Sequence, residues 1–266
     1  MNIDQIKTKS LNNEALSVLE ALSILNTTDE NLMTLVAAAF DVRQKHFGKR
    51  VKLNYLVNVK SGLCPEDCHY CSQSKDSEAP IDKYPLLSDE EILTHVQRGL
   101  DVGVKRACLV ASGRGPSNRE LDSFCHAVKN LKENHPSLEV CACLGLLSEG
   151  QADKLKEAGV FAYNHNINTS KSHYEKICKT HNYDDRLETV GKAQTSGLSS
   201  CSGVLVGMGE TDKDLVEMAF TLRSQNVESI PINFLVSIDK TPMAGVNHLT
   251  PQRCLKILAM FRLVNP

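Results

Sequence analysis

From residue 51 onward the chain alternates short β-prone apolar runs with longer amphipathic stretches. The β-prone runs cover 52–59, 105–111, 138–144, 161–164, 199–206 and 229–236. Between them apolar residues recur at the helical period, as in Ile92, Val96 and Leu100, then Leu121, Phe124, Cys125, Val128 and Leu131. Capping pairs mark helix starts: Ser88 with Glu91, Ser117 with Glu120, Ser148 with Gln151, and Thr211 with Asp214. Thr250 followed by Pro251 adds a cap with proline at the first helical position. Strand–helix alternation of this kind predicts a parallel sheet, either open and doubly wound or closed into a barrel. No G-x-G-x-x-G follows the first strand, so the dinucleotide-binding version loses support. A barrel of about 250 residues takes nearly the whole chain. The expected fold is therefore α/β, a TIM-type (βα) barrel over 51–266, incomplete at about six βα units.

Residues 1–50 read as an N-terminal helical extension. Leu16, Leu19, Ala21, Leu22 and Leu25 outline one apolar face, and Leu32, Leu35, Val36, Ala39 and Phe40 another. The turn Asn26-Thr27-Thr28-Asp29 separates them and supplies a cap. No chemistry is visible there, and the pattern suits a helical hairpin packed on the main domain. No internal repeat or interdomain linker stands out.

Composition narrows the function classes. With 41% hydrophobic residues the chain can fill a core, which argues against wholesale disorder. Lys plus Arg number 30 against 32 Asp plus Glu, without blocks of one sign, so neither a nucleic-acid nor an anionic-membrane surface is expected. The polar start lacks a signal-peptide core. The longest apolar run, 32–40, falls far short of the roughly 20 residues that span a bilayer. Ten cysteines without an export signal suit a reducing, cytoplasmic compartment, where they serve as ligands or core residues.

The densest chemistry is Cys64-Pro65-Glu66-Asp67-Cys68-His69-Tyr70-Cys71, three thiols spaced C-x3-C-x2-C on a loop. A four-iron cluster held only by protein takes four thiolates. Three leave one iron open to a chelating ligand. A zinc knuckle completed by His69 or a distant residue is the competing reading, although the second paired arm is missing. The longer string Ser61-Gly62-Leu63-Cys64 through Cys71-Ser72-Gln73-Ser74 resembles the biotin synthase family of radical S-adenosylmethionine enzymes. The resemblance implies a [4Fe-4S] cluster on Cys64, Cys68 and Cys71. Its open iron would bind S-adenosylmethionine and cleave it to a 5′-deoxyadenosyl radical.

Cys108, Cys141 and Cys201 fall in the second, third and fifth strand candidates. Alternate residues of a barrel strand point inward, so these thiols can converge, and a buried cysteine can equally be a small core residue. Cys143 shares a face with Cys141, and alternation does not choose between them. The resemblance implies a [2Fe-2S] cluster on Cys108, Cys141 and Cys201, completed in the family by an arginine. Cys125 and Cys254 read as packing residues, and Cys178, in a loop-like stretch, carries no assigned role.

Further matches lie in 163–170 and 203–211. By resemblance Asn166 lies between cofactor and substrate, Asn168 faces the cofactor ribose, Tyr70 and Leu205 contact the adenine, Arg186 pairs with the methionyl carboxylate and Asn233 contacts substrate. Read without it, the asparagines cap loops, His165 is a structural histidine and Arg186 is one more surface arginine. The family implies sulfur insertion into dethiobiotin, an electron-transfer protein as reductant and a homodimer when complete. It also has two more strand–helix units, with the arginine ligand on the next strand. The 266 residues are therefore expected to be a C-terminally truncated fragment, prone to associate and able at best to hold the four-iron cluster. A related radical enzyme with another substrate, or a non-catalytic iron–sulfur protein, remains the alternative.

Overall fold

The computed structural model describes residues 2–266, so Met1, the first residue of the expected extension, lies outside them. Five parallel strands form one sheet in sequential order: β1 (Asn54–Lys60), β2 (Arg106–Ala111), β3 (Glu139–Cys143), β4 (Ala162–Asn164) and β5 (Ser199–Cys201). A second pair, β6 (Val204–Val206) and β7 (Ile232–Phe234), is also parallel. Bridges between Asn168 and Val204, and between Cys201 and Ser229, tie this pair to the first sheet as one arc. Among the described residues no ladder joins β7 back to β1.

The fifth strand candidate, 199–206, is thus interrupted. The Gly203 N–H, which a continuous ladder would use, donates instead to Asn166 Oδ1 at 3.0 Å. Gly203 also lets the chain pass close to Pro231. A Cβ at 203 would stand 1.9 Å from the Pro231 carbonyl oxygen.

Helices cover the outer face. α4 (Asp89–Asp101), α5 (Asn118–Asn134), α6 (Gln151–Glu157) and α7 (Tyr183–Thr195) follow β1 to β4, and α8 (Asp212–Ser224) follows β6. Ser88, Ser117 and Thr211 close the expected capping boxes. The pair at Ser148 does not: α6 starts from Gly150, with no side-chain cap, and Gln151 Oε1 accepts from Ser148 N in a turn before it. Val57, Val59, Ala107, Leu109, Val140 and Ala142 share one core with Ile92, Val96, Leu121, Phe124 and Leu131. Burying each such Leu or Ile is worth about 1.5–3 kcal/mol. Since those strand residues face the helices, the alternate set, Leu56, Cys108, Cys141 and Cys143, faces the inside of the arc.

The N-terminal segment has three helices: α1 (Ile3–Leu11), not anticipated from its sparse apolar residues, α2 (Val18–Leu25) and α3 (Leu32–Phe47). Ile6, Ala21, Ile24, Leu35 and Val42 join a core with Leu215, Ala219, Met260 and Leu263 of α8 and α9 (Pro251–Val264). Leu19, expected on the apolar face of α2, is 78% exposed, and Ile24 takes its place inside.

Asp214 ties α8 to the loop after β4. It closes the capping box with Thr211 and accepts from Ser170 Oγ and Ser172 Oγ. Although burial raises its pKa, these hydrogen bonds hold the carboxyl well below the usual range. A depressed folded pKa stabilises above the unfolded value of about 3.9 and is lost progressively as pH falls below it. Asp214→Asn is therefore expected to lower the unfolding midpoint at pH 7, with the gap to wild type narrowing below about pH 4. Denaturant unfolding at the two pH values checks this.

Candidate active site at the C-terminal ends of the strands

The triad loop leaves β1 through Gly62 and Leu63, both at positive φ. Much of its anchoring does not use the thiols. Gly62 N donates to Gln73 Oε1 at 2.8 Å, Lys75 N to Glu66 O at 2.9 Å, and His69 N to Ile177 O at 3.0 Å. Glu66 and Asp67, buried at the middle of the motif, clamp the segment before α7. Asp67 Oδ1 accepts from Lys179 N (2.9 Å) and Thr180 N (3.1 Å), and Glu66 Oε2 accepts from Thr180 Oγ1 (2.6 Å) and contacts His181 Nδ1. Burial is the largest influence on Cys64 and Cys71, and it pushes both thiols up. Metal binding there must displace protons, since the thiolate is the ligand.

Behind the loop sits Arg186, the fourth residue of α7, which opens with an Asn182–Asp185 capping box. The sequence left it a surface arginine unless the resemblance held, yet it is 8% exposed. Its partners are Asn166 O (2.8 Å), the Tyr174 hydroxyl and His181 Nε2 (2.8 Å). None is a carboxylate. Because Arg186 donates to Nε2, that nitrogen carries no proton, so the His181 proton sits on Nδ1 facing Glu66. His165, 3.5 Å from Arg186, is held far below its ordinary pKa by burial and then by that guanidinium, so it is neutral.

The expected cofactor residues gather around this point. Asn168, at φ 67°, donates to the Tyr70 hydroxyl at 2.6 Å, and its carbonyl accepts from Leu205 N at 2.9 Å. Asn166 is fixed by Gly203 as above. Leu205 is half-buried and pairs in register with Asn233, whose Nδ2 donates to Val204 O at 3.2 Å and whose side chain is otherwise exposed.

Deeper inside the arc, Cys108 and Cys141 stand opposite each other in register on β2 and β3. A hydrogen bond between the two thiols lowers the Cys108 pKa and raises that of Cys141. Cys201 ends β5 opposite Asn164, whose Nδ2 lies 3.1 Å from its sulfur. Cys143 lies opposite Val110, two residues further along, and burial pushes its thiol up to about 12.

One cluster of potential ligands escaped the sequence reading. Cys178, buried, lies 3.9 Å from Cys68 Sγ, 3.1 Å from Asp67 Oδ1 and 3.2 Å from His181 Nδ1. Its only sequence signal was the C-x2-H spacing to His181.

Residues 58–222 match the radical SAM superfamily, and residues 231–266 match the biotin and thiamin synthesis associated domain. The chain is 55% identical to the biotin synthase of Streptomyces coelicolor over 97% of its own length and 63% of that protein's. To the biotin synthase of Bacillus licheniformis it is 55% identical over 93% of this chain and 74% of the relative. To that of Halalkalibacterium halodurans it is 50% identical over 100% and 80%. It spans less than two thirds of the Streptomyces coelicolor and Kocuria rhizophila proteins, 63% and 53%. Among solved structures, methylornithine synthase superposes with a TM-score of 0.85 at 21% identity, covering 97% of this chain and 76% of the other. HydG, a maturase of the [FeFe]-hydrogenase, gives 0.82 at 23%, covering 98% and 60%. These distant structures share the fold, the TIM-type (βα) arrangement expected for the chain. With the superfamily match over most of the chain and biotin synthases at half identity or more along nearly all of it, this chain belongs to the biotin synthase family.

Proposed function

We propose that these residues serve the insertion of sulfur into dethiobiotin to give biotin, driven by S-adenosylmethionine. Cys64, Cys68 and Cys71 would hold the four-iron cluster, and Cys108, Cys141 and Cys201 the two-iron cluster that donates sulfur. The observation that carries the reading is Arg186: a buried guanidinium whose partners are all uncharged, next to the triad loop. A buried charge without a counter-charge is costly, and an amino-acid carboxylate supplies that counter-charge in a geometry matched to the planar fork. Three loop thiols with no fourth in the motif suit a cluster that keeps one iron for the same ligand.

Each side chain then has a definite task. Arg186 binds the carboxylate and, through Asn166 O, fixes the height of the loop after β4. The Tyr70–Asn168 hydrogen bond orients the ring edge and amide that would meet the nucleoside. Leu205 offers an apolar wall, and Asn166 and Asn233 supply amides on the substrate side. Bound at the triad, the cluster supplies the electron that cleaves S-adenosylmethionine. The same reading places the protein in the cytoplasm, in keeping with ten free thiols, as a homodimer served by an electron-transfer protein.

Anaerobic reconstitution with iron and sulfide, followed by measurement of 5′-deoxyadenosine, tests this. Cleavage should occur with reductant and rise with dethiobiotin, and deuterium from labelled dethiobiotin should appear in the 5′-deoxyadenosine. Arg186→Lys keeps the charge and loses the fork, so S-adenosylmethionine should bind about tenfold to a hundredfold more weakly. Unchanged affinity would remove Arg186 from the cofactor site. Dethiobiotin without effect on cleavage, and without label transfer, would point to another substrate.

Replacing Cys108, Cys141 or Cys201 with Ala is expected to remove the two-iron absorption, while Cys143→Ala leaves it. The register supports the choice, since Cys141 faces Cys108 directly and Cys143 faces Val110. Loss of the absorption on replacing Cys143 and not Cys141 would reverse the assignment.

A further inference from the structure

Cys178 and His181 lie beside a proposed cluster ligand, yet the proposed reaction uses neither thiol nor ring as a metal ligand. The ligand atoms of Cys68, Cys178 and His181 all lie within 4.8 Å of one another, and all three residues are buried. We propose that they form a site for a single thiophilic divalent cation, zinc foremost, which shares Cys68 with the triad and so excludes the four-iron cluster.

The sulfur–sulfur distance suits one ion, and the imidazole is within reach of it. With Zn–S near 2.3 Å and Zn–N near 2.0–2.1 Å, a tetrahedral ion sets two sulfurs about 3.8 Å apart and sulfur to nitrogen about 3.6 Å apart. Cys68 and Cys178 stand 3.9 Å apart, and Cys178 Sγ lies 3.7 Å from His181 Nε2 and 3.2 Å from Nδ1, beside the ring, so the Cys178 side chain must turn toward Nε2 for both to bind one ion. The tautomer of the ring is already set. Its Nδ1–H faces Glu66, the carboxylate–histidine arrangement that supports a metal-bound imidazole, and leaves the unprotonated Nε2 to the ion. The ion would displace Arg186 from Nε2, and the guanidinium keeps Asn166 O and Tyr174.

Charge closes as well. Two thiolates with Glu66 and Asp67 carry four negative charges, against two on the ion, one on Arg186 and one on Arg114, whose Nη1 lies 3.3 Å from Glu66 Oε1. Three protein ligands leave a fourth position for water. The pocket is held by backbone rather than by the thiols, through Asp67 with Lys179 N and Thr180 N and His69 N with Ile177 O. Its backbone frame is therefore in place before any metal arrives, and only the Cys178 side chain and the Arg186 fork must shift.

The consequence is competition. An apo chain that captures zinc at Cys68 loses one of three cluster ligands until the zinc is withdrawn. The competition rests on Cys68 being a cluster ligand, whereas the site itself does not depend on the proposed reaction.

The test uses the full chain, stripped of metal and kept anaerobic, titrated with Co²⁺ as an optical probe and then with Zn²⁺. One equivalent should bind with sulfur-to-cobalt charge-transfer bands and tetrahedral visible bands, and zinc should displace it. Cys178→Ser changes one atom, and with His181→Gln it should weaken binding by more than about 100-fold, beyond the upper range for losing an outer partner. Cys64→Ala should bind cobalt as wild type does. X-ray absorption of the zinc-loaded wild type gives a readout free of any variant: two sulfurs and one imidazole nitrogen are expected. Zinc-loaded protein should also take up less iron than apo protein, and Cys178→Ser should remove the difference. Three sulfurs around zinc, or loss of binding in Cys64→Ala with retention in Cys178→Ser, would give the metal to the triad and overturn the proposal. The cobalt titration does not require S-adenosylmethionine cleavage, so failure of that cleavage bears on the proposed reaction and leaves the metal site standing.

Discussion

Single replacement of Cys64, Cys68 or Cys71 with Ala is expected to reduce S-adenosylmethionine cleavage to background. Each thiolate would hold one iron, and the cluster has no other protein ligand in the motif, so two thiolates leave it underligated. The loss should come from the missing ligand and not from unfolding. The loop is held by Gly62 with Gln73, Lys75 with Glu66 and His69 with Ile177, none of which involves sulfur of the triad. Far-UV circular dichroism and the unfolding midpoint should therefore change little, while the four-iron absorption disappears. Cys68→Ala needs one precaution, because Cys178 Sγ lies 3.9 Å from the lost sulfur and could take the iron. Pairing it with Cys178→Ser removes that route. Cleavage retained in all three single variants and in the pair would sink the assignment.

What the sequence revealed and concealed follows from the range of the interactions. Capping boxes are local, and those at Ser88, Ser117 and Thr211 were legible because both partners lie three residues apart. The Ser148 pair reads the same but bonds as a turn, since Gly150 at φ 70° bends the chain just before the helix. The strand–helix alternation gave the parallel order directly. The break between β5 and β6 was hidden, because the group that takes the Gly203 N–H is the side chain of Asn166, on another strand's loop. Cys178 was hidden for the same reason, its partner Cys68 being 110 residues away. Arg186 needed both levels. A helix position four residues past a capping residue is ordinarily solvated, and only the fold shows that the loops after β1 and β4 close over it.

Gly203→Ala is expected to be the most damaging single substitution away from the thiols, lowering the thermal midpoint by about 6–12 °C. The added Cβ would meet the Pro231 carbonyl oxygen at 1.9 Å, and that oxygen is backbone, accepting from Val204 N at 3.0 Å. A flexible side chain could swing aside, but here β6 must move from β7 or Gly203 from Asn166. Overpacking of this kind costs up to about 3 kcal/mol, and each kcal/mol shifts the midpoint of a large domain by about 2–4 °C. The displacement would pass to the site, since Gly203 holds Asn166 through its N–H and Asn168 through its carbonyl. S-adenosylmethionine affinity should fall along with stability. Gly191→Ala supplies the opposite sign. That glycine lies inside α7 with nothing within 4 Å of its added Cβ, and a helical Gly costs about 0.5–1 kcal/mol relative to Ala. Its midpoint should rise by about 1–4 °C. Equal midpoints for the two variants would mean that the approach of Gly203 to Pro231 does not constrain the arc, and that the break between β5 and β6 has another cause.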